Sequence, residues 1–129
     1  MFRAGQVIWG PDPHRKKEGR PLIVAVDEDA SGALVVCTTT SKSIYTDTTT
    51  CLEGGCHPDL PHDCTVDYDS ARYIPNCNVL RDAIRAGILR TDPLVFLDSA
   101  DLARVQAGFA KSDLVNEDAK RYAKKRRII

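Results

Sequence analysis

A chain of 129 residues, 43% hydrophobic and 28% charged, has the size and composition of one globular domain able to bury roughly two thirds of its unfolded surface. Its 18 basic and 18 acidic residues cancel, which excludes a uniformly polyanion-seeking surface, and no apolar run approaches the ~20 residues of a membrane span. Met1-Phe2-Arg3 leads into no signal-peptide core, so the expectation is a cytoplasmic protein with no membrane partner.

Gln6-Val7-Ile8-Trp9 reads as a first strand, ended by Gly10-Pro11-Asp12-Pro13 because prolines do not continue a ladder. A basic loop follows. Residues 21–26 form a second strand, apolar enough to be buried on both faces. An acidic turn over 27–32 leads to a third strand over 34–40, and the two pair as an antiparallel hairpin. Threonine-rich residues 46–50 suit an edge strand or a loop, and the Gly/Pro/His/Cys segment 54–64 reads as irregular. Residues 65–68 and 72–74 read as two short strands about an Asp69-Ser70 turn.

From Asn78 the period changes to that of a helix. Val79, Ala83, Ile84 and Ile88 share its face, Asn78 is its N-cap, and Thr91-Asp92-Pro93 breaks it. Asp98 or Ser99 caps a second helix with an apolar face of Leu102, Val105, Gln106 and Phe109. A third helix over 116–127 starts acidic and ends basic, as the helix macrodipole favours. Strands first and helices last predict a mainly β fold with C-terminal helices: a small barrel over about 1–76, then two or three helices over about 77–129.

Two local basic patches stand out against the neutral total. One comprises His14, Arg15, Lys16, Lys17 and Arg20; the other comprises Lys120, Arg121, Lys124, Lys125, Arg126 and Arg127. Each reads either as solvated surface or as a contact for a phosphate backbone.

The sharpest chemical expectation concerns Glu18-Gly19-Arg20-Pro21 and Val36-Cys37-Thr38-Thr39-Thr40-Ser41-Lys42. Each segment sits where a strand meets a loop, so an arginine and several hydroxyls come to the mouths of neighbouring strands. A guanidinium beside hydroxyls suits a phosphodiester and the charge that develops when it is attacked.

Gly5-Gln-Val-Ile-Trp9, the Asp12-Pro13 turn, Gly19-Arg20-Pro21 and the 36–42 segment, in that order and spacing, resemble the MazF/PemK toxin family over about a third of the chain. The resemblance implies an SH3-like barrel that forms a homodimer, a cognate antitoxin protein as partner, and cleavage of single-stranded RNA without a metal or other cofactor. It further implies Arg20 and Thr38 as catalytic residues, with Thr39 adjacent. Attack by a ribose 2′-hydroxyl would leave a cyclic phosphate and a free 5′-hydroxyl. His14, Arg15, Lys16, Lys17, Ser41 and Lys42 would contact the RNA. An arginine with a pKa above ~12 is a poor base, so charge stabilisation is its expected role. The first loop is one residue shorter than is usual in the family, and the chain after Ser43 does not match it. That divergence favours an alternative: a non-catalytic nucleic-acid- or protein-binding module of the same fold, of a kind that a phage encodes.

The five cysteines are an odd count, which argues for free thiols or metal ligands rather than a disulfide framework. Cys51, Cys56, His57, His62 and Cys64 are all zinc-competent, but their spacing fits no standard zinc module. Three readings stand. Zinc holds the segment; Cys51 and Cys64 are buried while His57 and His62 pin the loop by hydrogen bonds; or one histidine serves Arg20 as a general base.

Overall fold

Ala33, Leu34, Val35 and Val36 are all buried, and a strand covered on both faces must be central in its sheet. The computed structural model describes residues 2–11, 18–26, 32–40 and 46–128, with the backbone alone described for residues 11 and 18–26. The strands are β1 (Gln6–Pro11), β2 (Glu18–Val26), β3 (Ala33–Thr39), β4 (Cys51–Leu52), β5 (Cys64–Ile74) and β6 (Arg90–Phe96). The helices are α1 (Asn78–Arg85), α2 (Ser99–Lys111) and α3 (Glu117–Lys125). The strands form one antiparallel sheet in the order β4-β5-β3-β2-β1-β6, so the fold is mainly β with C-terminal helices, as expected. Among the described residues no helix is long and apolar enough to cross a membrane.

Alternation along β3 divides the core in two. Leu34 and Val36 join Val66, Tyr68, Val105 and Phe109 in the cluster shared with α2 and α3. Ala33 and Val35 face the other way, with Phe2, Ile8, Cys77 and Leu80. A one-residue slip would exchange these sets, so burial of both faces holds the register. The hairpin of β2 and β3 is present as expected.

Several expectations are corrected. Gly10 and Pro11 do continue β1, pairing with Gly19 and Glu18; a proline at a strand's last position removes only one terminal donor. The Asp69-Ser70 turn is a bulge inside the single strand β5. There β5 runs from Asp67 to Arg72 while β3 runs only from Cys37 to Val35. The Ser70 hydroxyl holds the bulge, accepting from the Cys37 N–H at 2.9 Å and donating to the Asp67 carbonyl at 2.6 Å.

The first helix stops well before Thr91-Asp92-Pro93. Gly87 adopts φ +77°, the Ile88 N–H returns to the Ala83 carbonyl and that of Gly87 to Ile84, which is the glycine-terminated Schellman ending. Asn78 is the first helical residue rather than the cap; the cap position is Cys77, with no side-chain hydrogen bond. Leu80 is the buried residue of α1, while Val79 and Ile88 are 62% and 57% exposed.

The stretch from Arg90, expected to be helical and then broken, is β6, paired with β1. Its proline is accommodated in another bulge, since Thr91 pairs with Ile8 and Phe96 with Gln6. Buried Gln6 binds the Thr91 hydroxyl at 2.9 Å, and the Arg90 guanidinium lies 3.6 Å from the Trp9 ring centroid. The sheet therefore recruits a strand from the part of the chain read as helical.

The second helix matches its expected cap, and Asn116 proves to cap the third. Asp98 accepts from the Asp101 N–H and Asn116 from the Ala119 N–H, each at 2.8 Å. On α2, Val105 and Phe109 are fully buried. The Tyr68 hydroxyl donates to the Val105 carbonyl at 2.7 Å and accepts from Thr50 at 2.9 Å. Gly108 makes this docking possible, because a Cβ there would overlap Tyr68.

Candidate functional site

The backbone register brings together the two segments singled out by their chemistry. Arg20 on β2 pairs directly with Thr38 on β3, and Pro21 with Cys37. On the far side of β3, Thr38 pairs with Val66 and Cys37 with Asp67. One row thus crosses three strands from Arg20 through Thr38 to β5. Thr38 is 8% exposed, Thr39 is half-buried and Thr40 is exposed. The hydroxyl ladder climbs from the sheet interior to its rim. His14, Arg15, Lys16, Lys17, Ser41 and Lys42 lie outside the described residues.

Beside Thr39 and Thr40 opens a cleft of about 590 Å³. It is lined as well by Thr65, the cross-strand partner of Thr39, by Cys51, Glu53 and Asp63, and, from α2, by Arg104. Arg104 is fixed there: one guanidinium nitrogen donates to the Cys51 carbonyl at 2.7 Å, and another stands 3.4 Å from Asp101. The cleft is therefore mixed in character, its lining combining threonines, an arginine and two acidic residues. Such a lining suits a polar ligand carrying both donors and acceptors.

Two of these residues were not singled out in the sequence. Arg104 lies on the polar side of α2, three residues from Asp101, where an arginine ordinarily signals solvent. Asp67 is a buried carboxylate on the strand beside Thr38, and its position inside an alternating strand was the only available signal.

The cysteine–histidine segment builds structure. His57 is 2% exposed. Its Nδ1 accepts from the Asp59 N–H at 3.0 Å, so Nε2 carries the proton and donates to the Val95 carbonyl at 3.2 Å. Both ring nitrogens are engaged within the fold, which leaves neither to serve as a general base toward a ligand. The loop-pinning reading holds for His57 and for the burial of Cys64, and is corrected for His62 and Cys51. His62 is exposed, as is Cys51, whereas Cys64 is buried. Burial pushes the Cys56 thiol pKa up, helped by the charges of Asp101 and Asp98; a thiol held protonated is a weak nucleophile and a weak ligand. Among the described residues no three of His, Cys, Asp and Glu are grouped to hold a metal ion.

No family model matches the chain, and no curated protein matches it. Among solved structures it is similar to a MazE-MazF structure (Form-III) from Deinococcus radiodurans, with 13% identity and a TM-score of 0.49 over 82% of this chain and 90% of that one. A likeness of that degree carries neither site residues nor activity across.

Proposed function

We propose that the chain is a toxin-like, metal-independent endoribonuclease that cleaves single-stranded RNA by attack of a ribose 2′-hydroxyl on the adjacent phosphate. The observation that carries the reading is the cross-strand pairing of Arg20 with Thr38. It unites two of the four elements on which the sequence resemblance to the MazF/PemK family rests. In this reading the 2′-oxygen forms a bond to phosphorus as the bond to the 5′-oxygen breaks. The 2′-proton passes to solvent and the departing 5′-oxygen takes one up. Arg20 stabilises the phosphorane charge, and Thr38 donates a hydrogen bond to a non-bridging oxygen. His14, Arg15, Lys16, Lys17, Ser41 and Lys42 would hold the flanking phosphates. A homodimer and a cognate antitoxin protein belong to the same reading, as does a cytoplasmic location.

The test is cleavage of an end-labelled RNA in the presence of EDTA, with the 2′,3′-cyclic phosphate product identified by mass. Loss of one preorganised donor to a developing oxyanion costs about 10²–10³ in rate, so that loss is expected for Arg20→Ala. Thr38→Val should lose roughly tenfold to a hundredfold, the range of one charge-assisted hydrogen bond. Full activity in Arg20→Ala overturns the reading. The burial of Thr38 favours one alternative, a binding module of the same fold, which would retain RNA without turnover.

A further inference from the structure

Lys120, Arg121, Lys124, Lys125, Arg126 and Arg127 take no part in the proposed site, and they exceed what their helix requires. One or two cations in the last turn complement the macrodipole; further ones repel each other. The helix ending makes the same point. The Ile128 N–H bonds the Ala123 carbonyl and that of Arg127 bonds Lys124, so Arg127 occupies the position where glycine ordinarily ends a helix. It adopts φ +57° there, a conformation that is strained for any residue with a Cβ.

A groove of about 630 Å³ runs between α3 and the bulged part of β5. Arg121 and Lys125, one helical turn apart, line it from α3, and Arg72 lines it from β5. Its walls are fixed in place. The Asn116 side chain, which caps α3, also donates to the Ala71 carbonyl at 2.6 Å, and the Tyr122 ring stacks on Tyr73 with centroids 4.1 Å apart. Arg121, Lys124 and Lys125 are exposed. Among the described residues Arg121 pairs with Asp118 alone, at 3.7 Å, with both side chains mostly in solvent, a pairing that holds little. Among the described residues Lys124 and Lys125 make no ion pair.

We propose that this groove and the basic end of α3 bind the sugar-phosphate backbone of single-stranded RNA, as a surface separate from the Arg20–Thr38 site. The two lie toward opposite ends of β3. Thr38 pairs with Val66, whereas the groove strand passes Leu34 and Val35 at Tyr73 and Arg72. One helical turn, about 5.4 Å, is of the order of the spacing between successive phosphates in an extended strand. That periodicity favours a regular polyanion over an acidic protein segment. The proposal stands whether or not the Arg20–Thr38 site cleaves RNA.

The test is fluorescence anisotropy of a labelled 2′-O-methyl oligouridylate, which has the phosphates but no 2′-nucleophile, titrated with the full chain at several salt concentrations. Arg121→Gln/Lys124→Gln/Lys125→Gln is expected to lose roughly tenfold or more in affinity, with the slope of log K against log salt reduced by about 2, near 0.7 per lost phosphate contact. Arg20→Ala should keep this salt-dependent component, which separates the surface from the proposed catalytic site. Arg85→Gln/Lys111→Gln, which removes exposed cations elsewhere, should bind as the parent does. Parental affinity and slope in the triple variant overturn the proposal. So does an equal loss in the control variant, or displacement of the oligomer by polyglutamate as effective as by unlabelled oligomer.

Discussion

Tyr68 shows how a single side chain can fix a helix. Its ring meets Phe109 edge-on at 5.1 Å, and its hydroxyl ties the Thr50 side chain to the Val105 carbonyl. Burial, with a smaller contribution from the charge of Asp47, pushes its pKa up to about 12 from an ordinary value near 10. The unfolded chain therefore releases this proton first. Stability carried by the neutral phenol is complete below about pH 10 and is lost as pH rises toward 12. Tyr68→Phe is expected to cost about 1 kcal/mol at neutral pH, the net worth of a buried hydrogen bond, and to flatten the alkaline part of the stability profile. Denaturant unfolding at a series of pH values checks both. Asp47 behaves oppositely. Burial raises its pKa, but hydrogen bonds from Thr49 and Ser112 outweigh this and leave it below the ordinary aspartate value. Its contribution is thus present above that ordinary value and lost as pH falls.

Among the elements, β5 decides most. Its bulge lets one strand pair with β3 at both ends while placing Tyr68 and Ala71 in the core. The Ser70 hydroxyl accepts from the Cys37 N–H at the bulge. Ser70→Ala removes that hydrogen bond and is expected to cost about 1 kcal/mol, read from the denaturant midpoint. Because Cys37 adjoins Thr38, the same variant should also lower RNA cleavage per folded molecule. A fall in stability with cleavage untouched would separate the bulge from the candidate site. The second and third helices were legible because their signals are local: Asp98 caps the second as its residue type demands, and the third runs from an acidic start to a basic end. The bulges of β5 and β6 were not. Asp69-Ser70 and Asp92-Pro93 are turn sequences taken alone, and only cross-strand pairing turns them into bulges.

For the molecule as a whole, the consequential contact joins the two ends of the sheet. β4 and β6 are its opposite edges, and His57, in the loop after β4, donates to the Val95 carbonyl within the β6 bulge. A side chain thus links edges that the described ladder pairs leave apart, and α2 packs nearby through Arg104 and the Cys51 carbonyl. His57→Leu leaves the Asp59 N–H and the Val95 carbonyl without partners, at about 1–3 kcal/mol each. The expected loss is therefore about 2–6 kcal/mol in chemical unfolding, with cleavage per folded molecule preserved. Loss of cleavage at unchanged stability would instead make the imidazole catalytic.

The sequence by itself determined the strands of β1 to β3, the cap of the second helix and the residue types gathered at the end of the β2–β3 hairpin. Those follow from periodicity and local hydrogen-bonding preference, which act over a few residues. Tertiary structure alone decided that Arg90–Phe96 is a strand, that Asp69-Ser70 is a bulge, that His57 spans two sheet edges and that Arg104 lines one cleft with Thr39 and Thr40. Each depends on a partner far along the chain, and hydrogen bonds between distant strands leave no periodic mark in either partner's own sequence.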